Sequence, residues 1–213
     1  MLADLVTAFV SLFVVIDPIG LTPLFLALTP GASPAARRAI ALRAGLIAAV
    51  ILTLFGLAGE ALLGAVGISM AAFRVAGGLL LFLTAIDMLF ERRTERRERQ
   101  GESAEFPDPS VFPLATPLIA GPGAIATMIL LTGRSGGDWL WTLTVLGVMA
   151  CVIALCVVLF MGSGILERIL RRTGVLVVTR LLGMLLAALS VQFVADGLAD
   201  FGLLPGAVAG AGG

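Results

Sequence analysis

The chain has 213 residues, 59% of them apolar and 13% charged, with a mean hydropathy of +1.10 and 14 basic residues against 14 acidic ones. This composition lies outside the range of soluble domains and offers nucleic acid no basic surface, so the expected surroundings are a lipid bilayer. Histidine is absent, which removes a His-ligated metal site and a histidine proton relay; no metal or cofactor is expected, and any proton coupling must use a carboxylate.

In chain order, six apolar segments are long enough to cross: about 5–28, 39–64, 73–90, 111–132, 139–162 and 176–199. Each comes close to the roughly 20 residues that a membrane helix needs. The fold class is therefore all-α, a polytopic membrane protein of six transmembrane helices. The first segment reads as a span and not as a removable signal, because its start carries Asp4 without a basic residue and it ends in Asp-Pro instead of a small-residue cleavage site.

That first span is interrupted by Asp17-Pro18-Ile19-Gly20. Entering near Leu5 with a rise of about 1.5 Å per residue, the chain reaches Asp17 roughly 18 Å in, near the middle of a hydrocarbon layer about 30 Å thick. Asp17 reads as an N-cap and Pro18 as the first residue of a restarted helix. The fourth span repeats the pattern without the charge at Gly121-Pro122-Gly123, about 15 Å beyond a start near Val111 by the same rise. A helix that stops and restarts in hydrocarbon strands amides and carbonyls, so the break requires protein, water or ligand to satisfy them. Paired midplane breaks are the pattern of a solute site in secondary transporters, whereas a single one is as readily a packed proline kink.

Between spans three and four lies the one strongly polar stretch, from Glu91 to Asp108, where arginine and glutamate alternate ahead of Pro107 and Pro109. It reads as a charged cytoplasmic linker. The division is thus 1–90, 91–110, 111–200 and a Gly-rich tail at 201–213. Of the 14 basic residues, Arg37, Arg38, Arg43, Arg92, Arg93, Arg96, Arg97, Arg99, Arg168, Arg171, Arg172 and Arg180 fall on one side, and only Arg74 and Arg134 on the other. The positive-inside rule places the linker in the cytoplasm and both termini outside, with Trp139 and Trp141 at the outer interface.

The halves resemble each other. Leu54-Phe55, Gly59, Gly67, Arg74 and Gly77 are echoed by Leu159-Phe160, Gly164, Gly174, Arg180 and Gly183. Each unit holds three spans, so the second copy would be inverted relative to the first.

Asp17 is the one acidic residue near the midplane, and three roles stand open for it: capping its own half-helix, binding a substrate ammonium, or carrying a proton. Thr22, Thr116 and Thr127 add hydroxyls, Gly20, Gly121 and Gly123 allow close backbone approach, and Gln192 in span six is deep enough to line a path. The positive ends of the half-helices that begin at Pro18 and Pro122 could converge on a carboxylate beside Asp17, a pocket suited to a small zwitterion. Glu60 and Arg74 are expected to pair at the outer interface. Ala76-Gly77-Gly78 reads as a close helix-packing site. Cys151 and Cys156 point to different faces of one helix and read as packing residues.

Asp17-Pro18-Ile19-Gly20 with Pro23 and Phe25, Ala58-Gly59-Glu60, Ala76-Gly77-Gly78, and Pro113-Leu114 through Pro117-Leu118 into Ala120-Gly121-Pro122-Gly123 resemble the MarC family of six-span membrane proteins. The resemblance extends from about Leu5 to Asp200. It implies a bacterial inner-membrane location and, through members described as small neutral amino-acid transporters, a transport role. The family usually has Asn after the Asp-Pro-x-Gly motif, where this chain has Leu21. The expectation is a secondary transporter of small neutral amino acids or similar zwitterions, with protons as a coupling ion and no catalytic residues. A non-transporting membrane partner is the alternative, and a membrane-embedded enzyme is disfavoured because no deep Arg accompanies the deep Asp. A homo-oligomer is left open.

Overall fold

The computed structural model describes residues 2–92, 108–133 and 138–203, apart from the side chains of 167, 168 and 170–172. Most of the expected linker, Arg134 and the end of the tail therefore lie outside the described residues. Among the described residues, eight helices run in the order α1 (Leu2–Ile16), α2 (Pro18–Leu28), α3 (Pro34–Ala65), α4 (Met70–Leu89), α5 (Ser110–Ile119), α6 (Pro122–Thr132), α7 (Trp139–Met161) and α8 (Ser163–Asp200). By length and composition α1 with α2, α3, α4, α7 and the Thr173–Asp200 part of α8 can each cross a membrane, and the bent pair α5–α6 makes a sixth where it is counted as one span.

The exterior demands an apolar solvent. On α3, Leu42, Leu46, Val50, Leu54 and Leu57 are all exposed at helical spacing, while Ala41, Ala44, Ala48 and Leu52 on the opposite stripe are fully buried. In water such a face would be an aggregation site, and in lipid it is a solvated one. The first span is more enclosed than the two that follow it: 56% of its most apolar window is buried, against 28% for α3 and for α4. α3 packs on α7, α5 and α6, and α2 meets both α7 and α8. Phe25 of α2 and Phe160 of α7 stack with centroids 4.6 Å apart, both of them fully buried.

The closest helix pair is α4 with α8. A Cβ at Gly197 would stand 3.0 Å from the Ala71 carbonyl oxygen, one at Gly78 would stand 2.9 Å from that of Ser190, and one at Gly183 would stand 3.3 Å from that of Ala85. Each contact lies seven residues on from the last along both chains, which is the register of an antiparallel pair in near-coiled-coil contact. Lipid gives helices no hydrophobic reason to associate, so backbone proximity of this kind supplies the packing energy. Both ends of the pair carry an ion pair, Arg74 with Asp200 and Arg180 with Glu91. The expected Glu60–Arg74 pair is thus replaced: Glu60 is exposed on α3, and the antiparallel run of α8 brings its last residue beside the first turn of α4.

The fourth span departs from a simple broken α-helix. α5 has wide turns, with Leu114 N–H donating to the Pro109 carbonyl and Ala120 N–H to that of Ala115, each five residues back. Phe112 and Thr116 inside it are extended, at φ −131° and −133°, and each precedes a cis proline, Pro113 or Pro117. Proline forbids α geometry to the residue before it and contributes no N–H, so the pair spaced four apart prevents a regular helix. The irregular backbone is tolerated because Pro113, Leu114, Ala115, Leu118 and Ile119 are buried against protein.

Candidate functional site

The first break is made by a single residue. The Asp17 N–H donates to the Phe13 carbonyl at 2.9 Å and closes α1, while its own carbonyl accepts from Leu21 N–H at 3.0 Å and opens α2. Between those bonds Asp17 sits at φ 58°, ψ 62°, the left-handed region that aspartate enters at lower cost than most side chains. Its carboxylate accepts the Gly20 amide at 3.0 Å, and the residue is 1% exposed. Pro18 at the first helical position has no amide to satisfy.

The second break is sharper. α5 and α6 meet at 54°, whereas α1 and α2 run on as one 27-residue span. α6 starts from Gly121 in an extended conformation, and no side chain caps it. The breaks adjoin: a Cβ at Gly123 would stand 3.2 Å from Val15 Cγ1, 3.6 Å from Leu81 Cδ2 and 3.9 Å from Thr84 Oγ1.

Each restarted helix carries a matching buried threonine. Thr22 donates to the Pro18 carbonyl and Thr127 to the Gly123 carbonyl, both at 2.8 Å. The hydroxyl protons are committed to the local helix, but the oxygen lone pairs remain able to accept from a cation. The electrostatics of the two starts also differ. Asp17 already compensates the positive end of α2, while the start of α6 keeps its charge uncapped by any side chain. A carboxylate would thus be favoured at the α6 end and an ammonium at Asp17.

Of the residues singled out from sequence, Asp17, Pro18, Gly20 and Thr22 gather at the first break, and Gly121, Gly123 and Thr127 at the second. Pro122 and Thr116 are exposed. Gln192 is exposed on α8, where its amide donates to the Asp196 carboxylate at 2.7 Å. Sequence reasoning missed Val15, Leu81 and Thr84 as neighbours of Gly123. Only Thr84, a lone hydroxyl in the middle of span three, left a trace in the sequence.

A helical chain with five or six candidate membrane spans, two of its apolar segments interrupted, is a multi-pass integral membrane protein. The model described as MarC family integral membrane protein matches residues 2–201, and the chain belongs to that family. It is 38% identical to a UPF0056 membrane protein of Archaeoglobus fulgidus, the match covering 91% of each chain. It is 37% identical to the UPF0056 membrane protein YvbG of Bacillus subtilis, over 93% of this chain and 95% of that one. With YhcE of Escherichia coli the identity is 36%, over 93% and 92%. No solved structure matches.

Proposed function

We propose that the protein is a secondary transporter of small neutral amino acids or similar small zwitterions, working by alternating access around the two breaks. The observation that carries the reading is the Asp17 carboxylate, buried within a span, in a left-handed conformation and next to a second break. Such a residue is expensive in hydrocarbon and is retained where it binds or moves charge. Asp17 takes the ammonium or a proton, the α6 start takes the carboxylate, and Thr22 and Thr127 supply further acceptors. Sites of this kind, built on discontinuous helices, are the transporter solution to binding charge inside a bilayer.

The inverted repeat we propose would supply alternating access. Exchanging the halves, α1–α2, α3, α4 for α5–α6, α7, α8, maps the α3–α5 contact onto α7–α1, α2–α8 onto α6–α4, and α3–α6 onto α7–α2. It also exchanges Arg74 with Arg180, each in its own ion pair. The orientation we propose has both termini outside the cytoplasmic membrane of a bacterium, with the arginine-rich face inside.

The test is flux of labelled glycine, alanine and serine into proteoliposomes of purified protein, with and without an imposed pH gradient. Saturable uptake supports transport; no uptake by correctly inserted protein refutes it for these solutes. The tight seat of Gly123 against Val15 favours a second reading, a membrane partner with its breaks permanently closed. That reading requires a Gly123→Cys variant to stay unreactive toward a water-soluble thiol reagent under all solute conditions.

A further inference from the structure

Away from the breaks, the start of α3 faces the junction of α7 and α8 across an open pocket of about 430 Å³. Pro34, Arg37 and Arg38 line one side, and the stretch from Met161 to Ile165 lines the other. Arg37 reaches back to the end of α2, its Nη2 donating to the Thr29 carbonyl at 3.2 Å. Its Nε is buried and has no hydrogen-bond partner. A buried donor of a charged group left without a partner is more costly than a neutral one. Arg38 adds a second guanidinium, and among the described residues no acidic side chain lines the pocket.

The opposite wall is the junction where Gly162 both closes α7 and precedes α8. α8 starts at Ser163 behind Gly162, with no side-chain cap, and Ser163 itself is 2% exposed. Orphan amides at a helix start and the guanidinium fork both match tetrahedral oxyanions. By contrast, the start of α3 is already capped by Ser33, so that helix contributes its arginines and not its amides. Beside the charged groups, Met161 and Ile165 are exposed apolar side chains on the same rim. The arrangement is a cationic, apolar-edged pocket on the arginine-rich face.

We propose that this pocket binds a phosphate-class oxyanion, carried by the headgroup of an anionic phospholipid or by a soluble phosphate. Arg37 Nε, Arg38 and the Ser163 and Gly164 amides would hold its oxygens, the Ile165 and Leu166 amides being taken by the Gly162 carbonyl. The bound anion would tie the end of α2 and the start of α3 to the α7–α8 junction, joining the two halves of the chain. The inference does not depend on the transport reading.

The experiment titrates delipidated protein in neutral detergent with phosphatidylglycerol and, separately, with inorganic phosphate, reading binding by native mass spectrometry and by thermal shift. Three variants are compared with the parent: Arg38→Gln, the double Arg37→Gln/Arg38→Gln, and Arg43→Gln, whose side chain pairs with Asp108 outside the pocket. Losing one charged hydrogen bond is expected to weaken binding about tenfold in Arg38→Gln, with a larger loss in the double variant and none in Arg43→Gln. Arg38 is exposed, so its replacement leaves the fold intact even if the double variant does not survive. Loss confined to phosphatidylglycerol identifies a lipid headgroup; loss for inorganic phosphate as well identifies a soluble oxyanion. The proposal is overturned if both probes bind Arg38→Gln as tightly as the parent, or if Arg43→Gln weakens binding equally.

Discussion

The Asp17 carboxylate accepts the amide of Gly20, and the two residues fit so closely that a Cβ at Gly20 would stand 2.2 Å from Asp17 Oδ2 and 2.7 Å from its Cγ. Glycine at position 20 is therefore what leaves room for the cap. Gly20→Ala must push the carboxylate off the α2 start, losing a cap of about 1 kcal/mol while leaving a charge buried without that partner. The variant should unfold at a lower temperature than the parent, and Gly20→Ala/Asp17→Asn should be less destabilised than the sum of its single changes. Thermal unfolding in detergent, run as a double-mutant cycle, checks both expectations.

A larger loss is expected at the α4–α8 contact. In Gly78→Ala the new Cβ would meet backbone on the facing helix, 2.9 Å from the Ser190 carbonyl oxygen and 3.0 Å from the Val194 nitrogen. Backbone cannot move aside as a side chain does, so the helices must separate, at about 1–3 kcal/mol. The neighbouring Gly77→Ala meets only the Leu130 side chain, at 3.0 Å, and should cost less. Chemical denaturation of the two variants side by side gives the order.

The Asp108 carboxyl offers a pH dependence outside the membrane spans. Ser110, whose amide donates to the carboxylate, and then Arg43 hold it below its ordinary value of 3.8, against the opposing effect of burial. The folded value lies below the unfolded one, so this contribution is present above about pH 4 and is lost as pH falls through the folded value. With over a third of its side chain exposed, the effect is small. The thermal midpoints of the parent and Asp108→Asn should differ at pH 6 and converge toward pH 3.

The spans were legible because hydropathy reports membrane crossing directly, and the break at Asp17-Pro18 was legible because a charge followed by proline has few other uses in an apolar run. The wide-turned α5 was not read from Pro113 and Pro117, although their spacing of four is the physical cause of the extended residues before them. The depth reckoned for Gly121 assumed a regular rise that α5 does not have. α8 begins at Ser163, well before the apolar segment near 176, because arginine and leucine sustain a helix where hydropathy is low. Arg74 was matched with nearby Glu60, whereas its partner Asp200 comes from the end of the chain and is fixed only by tertiary packing. The same holds at the site: Thr22 and Thr127 sit four and five residues beyond Pro18 and Pro122 and could be read locally, but the approach of Val15 and Thr84 to Gly123 depends on how three spans pack.

Asp17→Asn tests the central claim most directly. Asparagine tolerates the left-handed conformation and keeps an acceptor oxygen for the Gly20 amide, so the break survives while the charge is removed. Proteoliposomes of the parent and the variant, matched for insertion, are compared for uptake of labelled alanine under an inward proton gradient. Gradient-driven uptake is expected of the parent, with at least about a tenfold loss in Asp17→Asn, the scale of one buried charged interaction. Equal uptake by both proteins, with the same response to the gradient, would contradict that claim and leave Asp17 as a helix cap alone.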